Sequence, residues 1–342
     1  MKRPTATDLA RAAGVGISTI DRVLNGRARV RPGTARQVLE AAEKIGFYAE
    51  GSIRARVVEG RPTCHLGFLL LQKDNRFYDN LAHELRAAAI AFDAAKVTIE
   101  IDYLTDLAPE VVAAKIVALG KRAKVVGVVA TQHPVIARAI EHLREKGVPT
   151  FALLSEVSAQ CSVGYIGCDN WKMGRTAGWA ISTICKRPGK IAIFVGNHRY
   201  RCQELNEIAF RAYLREHASD FEILEPRSTW EDNAVAEKLT HELLASEPDL
   251  AGLYVAGGGL DGVVKALRDT QGRQDLVTVG YQNTETTRSA LTDGVLKFVI
   301  SNPVKAIARE AVFAMTSATT HGPDNLLPSI AVPMDVLTPE NV

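Results

Sequence analysis

The sequence predicts an α/β protein: a three-helix helix-turn-helix module at the amino end, a hinge segment, and then two lobes built on doubly wound parallel sheets. Residues 5–45 repeat apolar positions at about one helical turn, whereas from Cys64 onward strand-length apolar runs alternate with amphipathic helical stretches. The 342 residues exceed a usual single domain, and 46% hydrophobic with 23% charged residues is ordinary globular composition.

The elements follow in order. Thr5 and Asp8 have capping-box-like spacing ahead of Leu9, Ala10 and Ala13, so a short helix starts there, and Gly14 ends it. A second helix is expected from about Ile17 to Leu24. Val15, Ile20, Val23 and Leu24 are available to pack inward, while Ser18, Asp21, Arg22 and Asn25 face out. A third begins near Thr34, with Val38, Leu39, Ala42 and Ile45 on its apolar side and Arg36, Gln37, Glu40 and Lys44 on its wet side. Helix, glycine-containing turn and helix is an arrangement that reads DNA. Residues 1–61 carry 12 Lys and Arg against 6 Asp and Glu, whereas the rest carries 29 against 33, so a net charge of +2 hides a basic amino end suited to a polyanion. A basic helical cap with no role on DNA is the alternative that these residues leave open.

Strands are expected at residues 65–71, 98–103, 125–130, 150–154, 191–195, 221–224, 250–256 and 276–280, mostly with helices between them. Such alternation implies parallel sheets covered on both faces.

Several classes find no support. No apolar run is long enough to span a membrane and the amino end lacks the apolar core of a signal peptide, so the chain is expected in the cytoplasm without a membrane partner. Cys64, Cys161, Cys168, Cys185 and Cys202 are odd in number and never spaced as CxxC, which reads as free thiols. The eight histidines show no metal-ligand spacing, and no nucleophile or phosphate-loop motif is present, so neither a metal, a cofactor nor an enzymatic activity is expected. One enzyme-like feature remains. Gly257, Gly259 and Gly262 spell GxGxxG between an expected strand and helix, as a dinucleotide-binding oxidoreductase would require. The next strand ends in Gln282 and Asn283 rather than an acid for the ribose, and glycines there also let the backbone turn at a cleft rim.

The stretch TATDLARAAGVGISTIDRVLNGRARVRPGTARQVLEAAEKIGFYAE resembles the amino-terminal module of the Lac repressor family (LacI/GalR regulators), whose pattern runs T-x-x-D-V-A-x-x-A-G-V-S-x-x-T-V-S-R-V-L-N. Thr5, Asp8, Ala10, Ala13, Gly14, Val15, Thr19, Arg22, Val23, Leu24 and Asn25 match it directly; Gly16 and Asp21 replace serines, and Asp21 would repel a phosphate unless Arg22 or Arg27 neutralises it. The resemblance implies that residues 1–48 bind DNA. Ile17 and Ser18 then reach base edges, Arg22 pairs with guanine, and Thr5, Thr19, Asn25, Arg27, Arg29, Arg31 and Thr34 join the interface, several of them on phosphates. In the family, residues matching 49–61 form a hinge helix on DNA, with leucines wedging the minor groove. This chain reads AEGSIRARVVEGR, with Arg56 at the leucine position and Ile53, Arg54 and Val57 nearby, so a plain flexible linker stays open.

For residues 62–342 the order of elements is similar to the type I periplasmic-binding-protein fold carried by that family. It implies two lobes facing across a cleft, with ligand beyond the carboxyl ends of the strands. The candidate ligand-binding residues are Asp74, Asn75, Phe77 and Tyr78 after the first strand, Gln132 and His133 after the third, and Ser155 and Glu156 after the fourth. From the second lobe come Asp169, Asn170 and Trp171, then Arg201, Gln203 and Glu204, then Asp261, Gln282, Asn283, Ser301 and Asn302. Each also reads as a loop polar residue or a helix cap. Sugar-binding relatives often carry an arginine where this chain has RYRCQELNEIAF, and Arg201 is the candidate substitute.

The expectation is a homodimeric, ligand-responsive repressor that binds a near-palindromic operator and is released by a sugar, polyol or derivative, with corepression as the alternative. A transport-associated binding protein would explain the second part alone. Dimerisation is expected to be the limit of assembly, since PSIAVPMDVLTPENV shows no leucine heptad.

Overall fold

The first unit is built around a capping box. Asp8 N–H donates to Thr5 Oγ1 at 3.3 Å while Thr5 N–H donates to Asp8 Oδ2 at 2.9 Å, and helix α1 (Ala6–Ala13) follows. Gly14, at φ 62°, closes it in the left-handed region. Helices α2 (Ile17–Asn25) and α3 (Pro32–Ile45) complete the module. α3 starts two residues ahead of the expected Thr34, because a proline suits the first helical turn. Leu9, Ala10, Ala13, Ile20, Val23, Val38 and Ala42 bury together, with Val15, Leu24, Leu39 and Ile45 half-buried against them. The core runs past the expected boundary at residue 48: Phe47 and Ile53 are 2% and 0% exposed, and residues 50–53 are helical.

The computed structural model describes residues 4–25, 30–53, 61–72, 75–270, 275–319 and 326–342. The chain divides into one unit of residues 1–64 with 90–98 and another of residues 65–89 with 99–342.

The first sheet comprises β1 (Thr63–Leu71), β2 (Lys96–Leu104), β3 (Val125–Val128), β4 (Thr150–Leu153), β5 (Gly164–Gly167) and β12 (Ser329–Ala331), in the order β12-β5-β4-β3-β1-β2. Helices α4 (Arg76–Ala91), α5 (Pro109–Gly120) and α6 (Pro134–Glu145) connect its strands. The second sheet runs β13-β11-β10-β9-β6-β7, with β6 (Lys190–Val195), β7 (Glu222–Ile223), β9 (Leu250–Val255), β10 (Val277–Tyr281), β11 (Phe298–Ser301) and β13 (Asp335–Leu337); β8 (Arg227–Ser228) also pairs with β6. Its pairs are parallel apart from β13, which runs antiparallel to β11.

One face of the second sheet packs on α7 (Asn170–Ile184) and α8 (Arg201–His217), where Phe210 stacks on Tyr254 at 4.8 Å between centroids. The other packs on α9 (Asn233–Ser246), α10 (Leu260–Asp269) and α11 (Glu285–Thr292). Strand membership makes the chain pass between the sheets after β5, after β11 through α12 (Val304–Ala318), and again between β12 and β13.

All eight expected strands form, within one or two residues at each end. Strands β5, β8, β11, β12 and β13 were not expected. They are two to four residues long, too short to show a period, and β5 and β11 are buried throughout, so no polar face alternates along them.

Candidate functional site

In the first unit α2 presents a polar outer face. Ser18, Asp21, Arg22 and Asn25 are exposed, Ile17 is 56% exposed, and Thr19 is half-buried. Asn25 Nδ2 donates to Asp21 Oδ1, so the acid that replaces the usual serine is held within its own helix by an amide. Arg31 is exposed just ahead of α3, Thr34 is half-buried in its first turn, and the Thr5 hydroxyl serves the capping box. Ile53 departs from the expected hinge role. It is enclosed by the module's own core and has no exposed surface to wedge into a groove. Arg27, Arg29, Arg54 and Val57 lie outside the described residues.

In the second unit a cavity of about 280 Å³ lies between the carboxyl ends of the two sheets. The first sheet supplies Leu71 at the end of β1 and Gln72 after it, residues 75–78 at the start of α4, Val129 after β3, and Leu154 and Ser155 after β4. The second supplies Tyr200, Cys202 and Gln203 around the start of α8, then Glu231 and Asn233, residues 257–261, Tyr281 at the end of β10 and Gln282 after it, and Asn302 after β11. Contacts between the two lobes include Cys202 N–H to Ser155 Oγ at 3.2 Å, Gln132 N–H to the Arg199 carbonyl at 2.8 Å, and an exposed Arg76–Glu285 ion pair. Phe77 and Tyr78, both in the lining, meet edge to face with centroids 5.1 Å apart.

A buried amide organises the second lobe's side. Gln203 Oε1 accepts from Gly196 N–H at 2.7 Å and Asn197 N–H at 2.8 Å, and its Nε2 donates to Glu231 Oε1 at 2.6 Å. Burial holds the Glu231 carboxyl above the usual carboxylate range, opposed by the hydrogen bonds from Gln203 and Gly258. Burial likewise raises the Tyr78 and Tyr200 phenols, with the Glu231 charge adding to the effect, and pushes the Cys202 thiol up to about 12.

The glycines of GxGxxG are accounted for here. A β-carbon at Gly257 would strike Gln203, one at Gly258 would strike the Glu231 carboxylate, and one at Gly262 would strike the Asn233 carbonyl of the adjoining helix. Close approach of the chain's own Gln203, Glu231 and Asn233 thus accounts for glycine at these positions without a dinucleotide. Gly262→Ala forces backbone apart between α9 and α10, and a loss of about 1–3 kcal/mol is expected in denaturant unfolding.

Three of the lining residues carry a buried polar atom that is unmet. Tyr200 Oη, Gln282 Oε1 and Asn302 Oδ1 have no hydrogen-bond partner, although Tyr200 and Asn302 are each only 2% exposed. Asn302 Nδ2 is already committed to Tyr281 Oη at 2.7 Å. An unmet buried polar atom costs about 1–3 kcal/mol. Among the described residues, the non-glycine residues with positive φ are Leu154 (65°), Trp230 (56°), Glu231 (61°) and Gln282 (77°), and all but Trp230 line the cavity. Strain of this kind costs on the order of 1–3 kcal/mol per residue and concentrates at ligand clamps.

Of the residues expected at strand ends, Asn75, Phe77, Tyr78, Ser155, Gln203, Asp261, Gln282 and Asn302 are brought together in the cavity lining. Asp74 lies outside the described residues. The others are drawn into local structure. Gln132 brackets the Ser158 backbone, and His133 caps α6 by accepting from Val135 N–H at 3.3 Å. Asp169 caps α7, Asn170 is buried against Tyr165 Oη, and Trp171 is exposed on that helix. Arg201 and Glu204 pair with each other at 2.7 Å outside the lining, so Arg201 does not stand in for the arginine of sugar-binding relatives. Glu156 is exposed, Asn283 Oδ1 accepts from Arg288, and Ser301 Oγ accepts from Asn283 N–H at 2.9 Å.

Sequence reasoning missed Gln72, Arg76, Tyr200, Glu231, Asn233, Tyr281, Thr284 and Thr287. Glu231 follows β8, which no pattern marked. The run Gly257, Gly258, Gly259 was its only trace, because glycines crowd where another chain segment approaches closely.

Residues 66–322 match the periplasmic binding protein domain, and residues 5–50 match the lacI family of bacterial regulatory proteins. Catabolite control protein A of Priestia megaterium is 33% identical over 88 residues, 26% of this chain and 26% of that protein. HTH-type transcriptional regulator RegA of Clostridium saccharobutylicum is 34% identical over 86 residues, 25% of each. The matched stretch therefore spans about a quarter of the length of these curated relatives. An ABC transporter solute binding protein from Agrobacterium vitis, bound with alpha-D-tagatopyranose, shares the fold at a TM-score of 0.73 and 17% identity, covering 81% of this chain and 95% of that one. GanP, a glucose-galactose binding protein from Geobacillus stearothermophilus, does so at 0.71 and 17%, covering 81% and 99%.

Proposed function

From a chain that belongs to the periplasmic binding protein domain family and carries a lacI-family regulatory module ahead of that domain, we propose a ligand-responsive regulator of transcription, acting in the cytoplasm as a homodimer. The module binds a near-palindromic operator through α2, and a small polar metabolite of the sugar or polyol class occupies the cleft. The observation that carries this reading is the combination, in one chain, of an exposed α2 face bearing Ile17, Ser18 and Arg22 with a cavity between two sheets lined by polar residues such as Gln203, Glu231, Gln282 and Asn302. The tagatose- and glucose-galactose-binding proteins of the same fold support a sugar-like ligand.

One short recognition helix reads too few bases for useful specificity, and a twofold dimer reading two half-sites meets that need. Ligand favours one arrangement of the lobes by its differential affinity, and that arrangement releases the operator. Among the described residues no helix is long and apolar enough to cross a membrane.

Selection of bound duplexes from a random pool tests this reading. It is expected to enrich a palindromic site, and equal retention of all sequences across salt concentrations would refute it. On the enriched site Arg22→Ala is expected to lose about 1–3 kcal/mol of discrimination at one symmetric base pair, measured by mobility shift against single-base variants.

A further inference from the structure

Among its described lining residues the cavity is rich in acceptors and short of positive charge. Among the described residues that line it the only cation is Arg76, and its guanidinium is engaged by Glu285. Glu231 is left with neutral partners, the Gln203 amide and the Gly258 N–H. Tyr78 from α4, Tyr200 ahead of α8 and Cys202 within α8 are the titratable groups that face it, and burial keeps all three uncharged at neutral pH. A carboxylate withdrawn from water is costly unless an opposite charge meets it. The glycine turn before α10, a natural place for an anion, holds this protein's own carboxylate, so a phosphorylated or acidic ligand would meet like charge there. Asp261 adds a second acid to the lining, and Gln282 Oε1 and Asn302 Oδ1 are acceptors without donors.

We propose that the cleft takes a polyhydroxylated molecule bearing a protonated amine, an amino sugar or amino polyol, with Glu231 as the counter-ion of the ammonium and Gln282 and Asn302 accepting from its hydroxyl groups. This rests on the cleft being the effector site. A neutral sugar leaves the Glu231 charge unmatched and a sugar acid adds to it, whereas an ammonium donates a charge-assisted hydrogen bond and neutralises it.

Calorimetric titration of the full chain with matched pairs separates these cases: D-glucosamine against D-glucose, D-galactosamine against D-galactose, and 1-amino-1-deoxy-D-glucitol against D-glucitol. At neutral pH at least one amine is expected to bind about tenfold or more tightly than its hydroxy partner. That preference is expected to vanish at the alkaline pH where the amine loses its proton. Glu231→Gln removes the charge and keeps the shape, and is expected to bring the two partners within about twofold. The pH profile uses the unaltered chain, so the test survives a Glu231→Gln protein that folds poorly. Hydroxy partners binding as tightly as the amines, no amine binding, or an unchanged preference in folded Glu231→Gln overturns the proposal. A neutral sugar that binds and shifts operator affinity while amines do neither would sink this inference and leave the regulator standing. An amine that binds without any effect on DNA would do the reverse.

Discussion

Ile53→Ala is expected to unfold the amino-terminal module rather than merely loosen its hold on DNA. Ile53 has no exposed surface and belongs to a core of about ten small and medium side chains, Leu9, Ile20, Val38 and Phe47 among them. Removing a buried isoleucine to alanine costs about 2–5 kcal/mol. A unit of this size rarely holds more than that in reserve. Ile53→Val, costing about 0.5–1.5 kcal/mol, is expected to keep the module folded. Hydrogen exchange of residues 5–47 in the full chain without DNA distinguishes the roles. Loss of protection in Ile53→Ala supports the core role, and full protection with weakened operator binding would restore Ile53 to a wedge.

Gln203→Ala is expected to be the most damaging substitution in the second unit. One amide satisfies Gly196 N–H, Asn197 N–H and the Glu231 carboxylate. Each buried group left unmet costs about 1–3 kcal/mol, so a loss of roughly 3 kcal/mol or more follows. At about 2–4 °C per kcal/mol, the melting temperature is expected to fall by roughly 10 °C. Gln203→Glu provides the chemical control. It sets a second carboxylate against Glu231, so the folded state gains affinity for a proton and its stability is present at acidic pH and lost as pH rises through the raised value. Scanning calorimetry at acidic and neutral pH reads this sign directly, and a Gln203→Glu protein equally stable at both would mean that the two side chains do not share the floor of the cleft.

How much of this was legible in the sequence depended on the distance over which each feature is determined. The capping box at Thr5 and Asp8, the Gly14 stop and the inward set of Leu9, Ile20, Val23 and Val38 are local, and they form as their spacing predicts. Long strands such as β1 and β10 were visible as apolar runs, whereas β5 and β11 were too short to carry a pattern. Strand ends located the cleft but did not say which polar residue enters it. The first residues of the following helices compete for capping work, which takes His133 and Asp169 out of the site. Glu231 enters because residues 230 and 231 adopt left-handed backbone, a tertiary requirement that no residue type there announces. Ile53 read as hinge because the resemblance places residues 49–61 there, whereas it joins a core that also draws on α1, α2 and α3, a tertiary arrangement that its own segment does not announce.

Coupling between cleft and operator is measured most directly by titrating the tightest ligand of the sugar, polyol and amino-sugar panel into the protein, with and without saturating operator. Linkage requires that a ligand which weakens operator binding by some factor be itself weakened by operator to the same factor. A regulator released by its ligand gives matched losses in the two titrations, and a ligand affinity that operator leaves unchanged would contradict it.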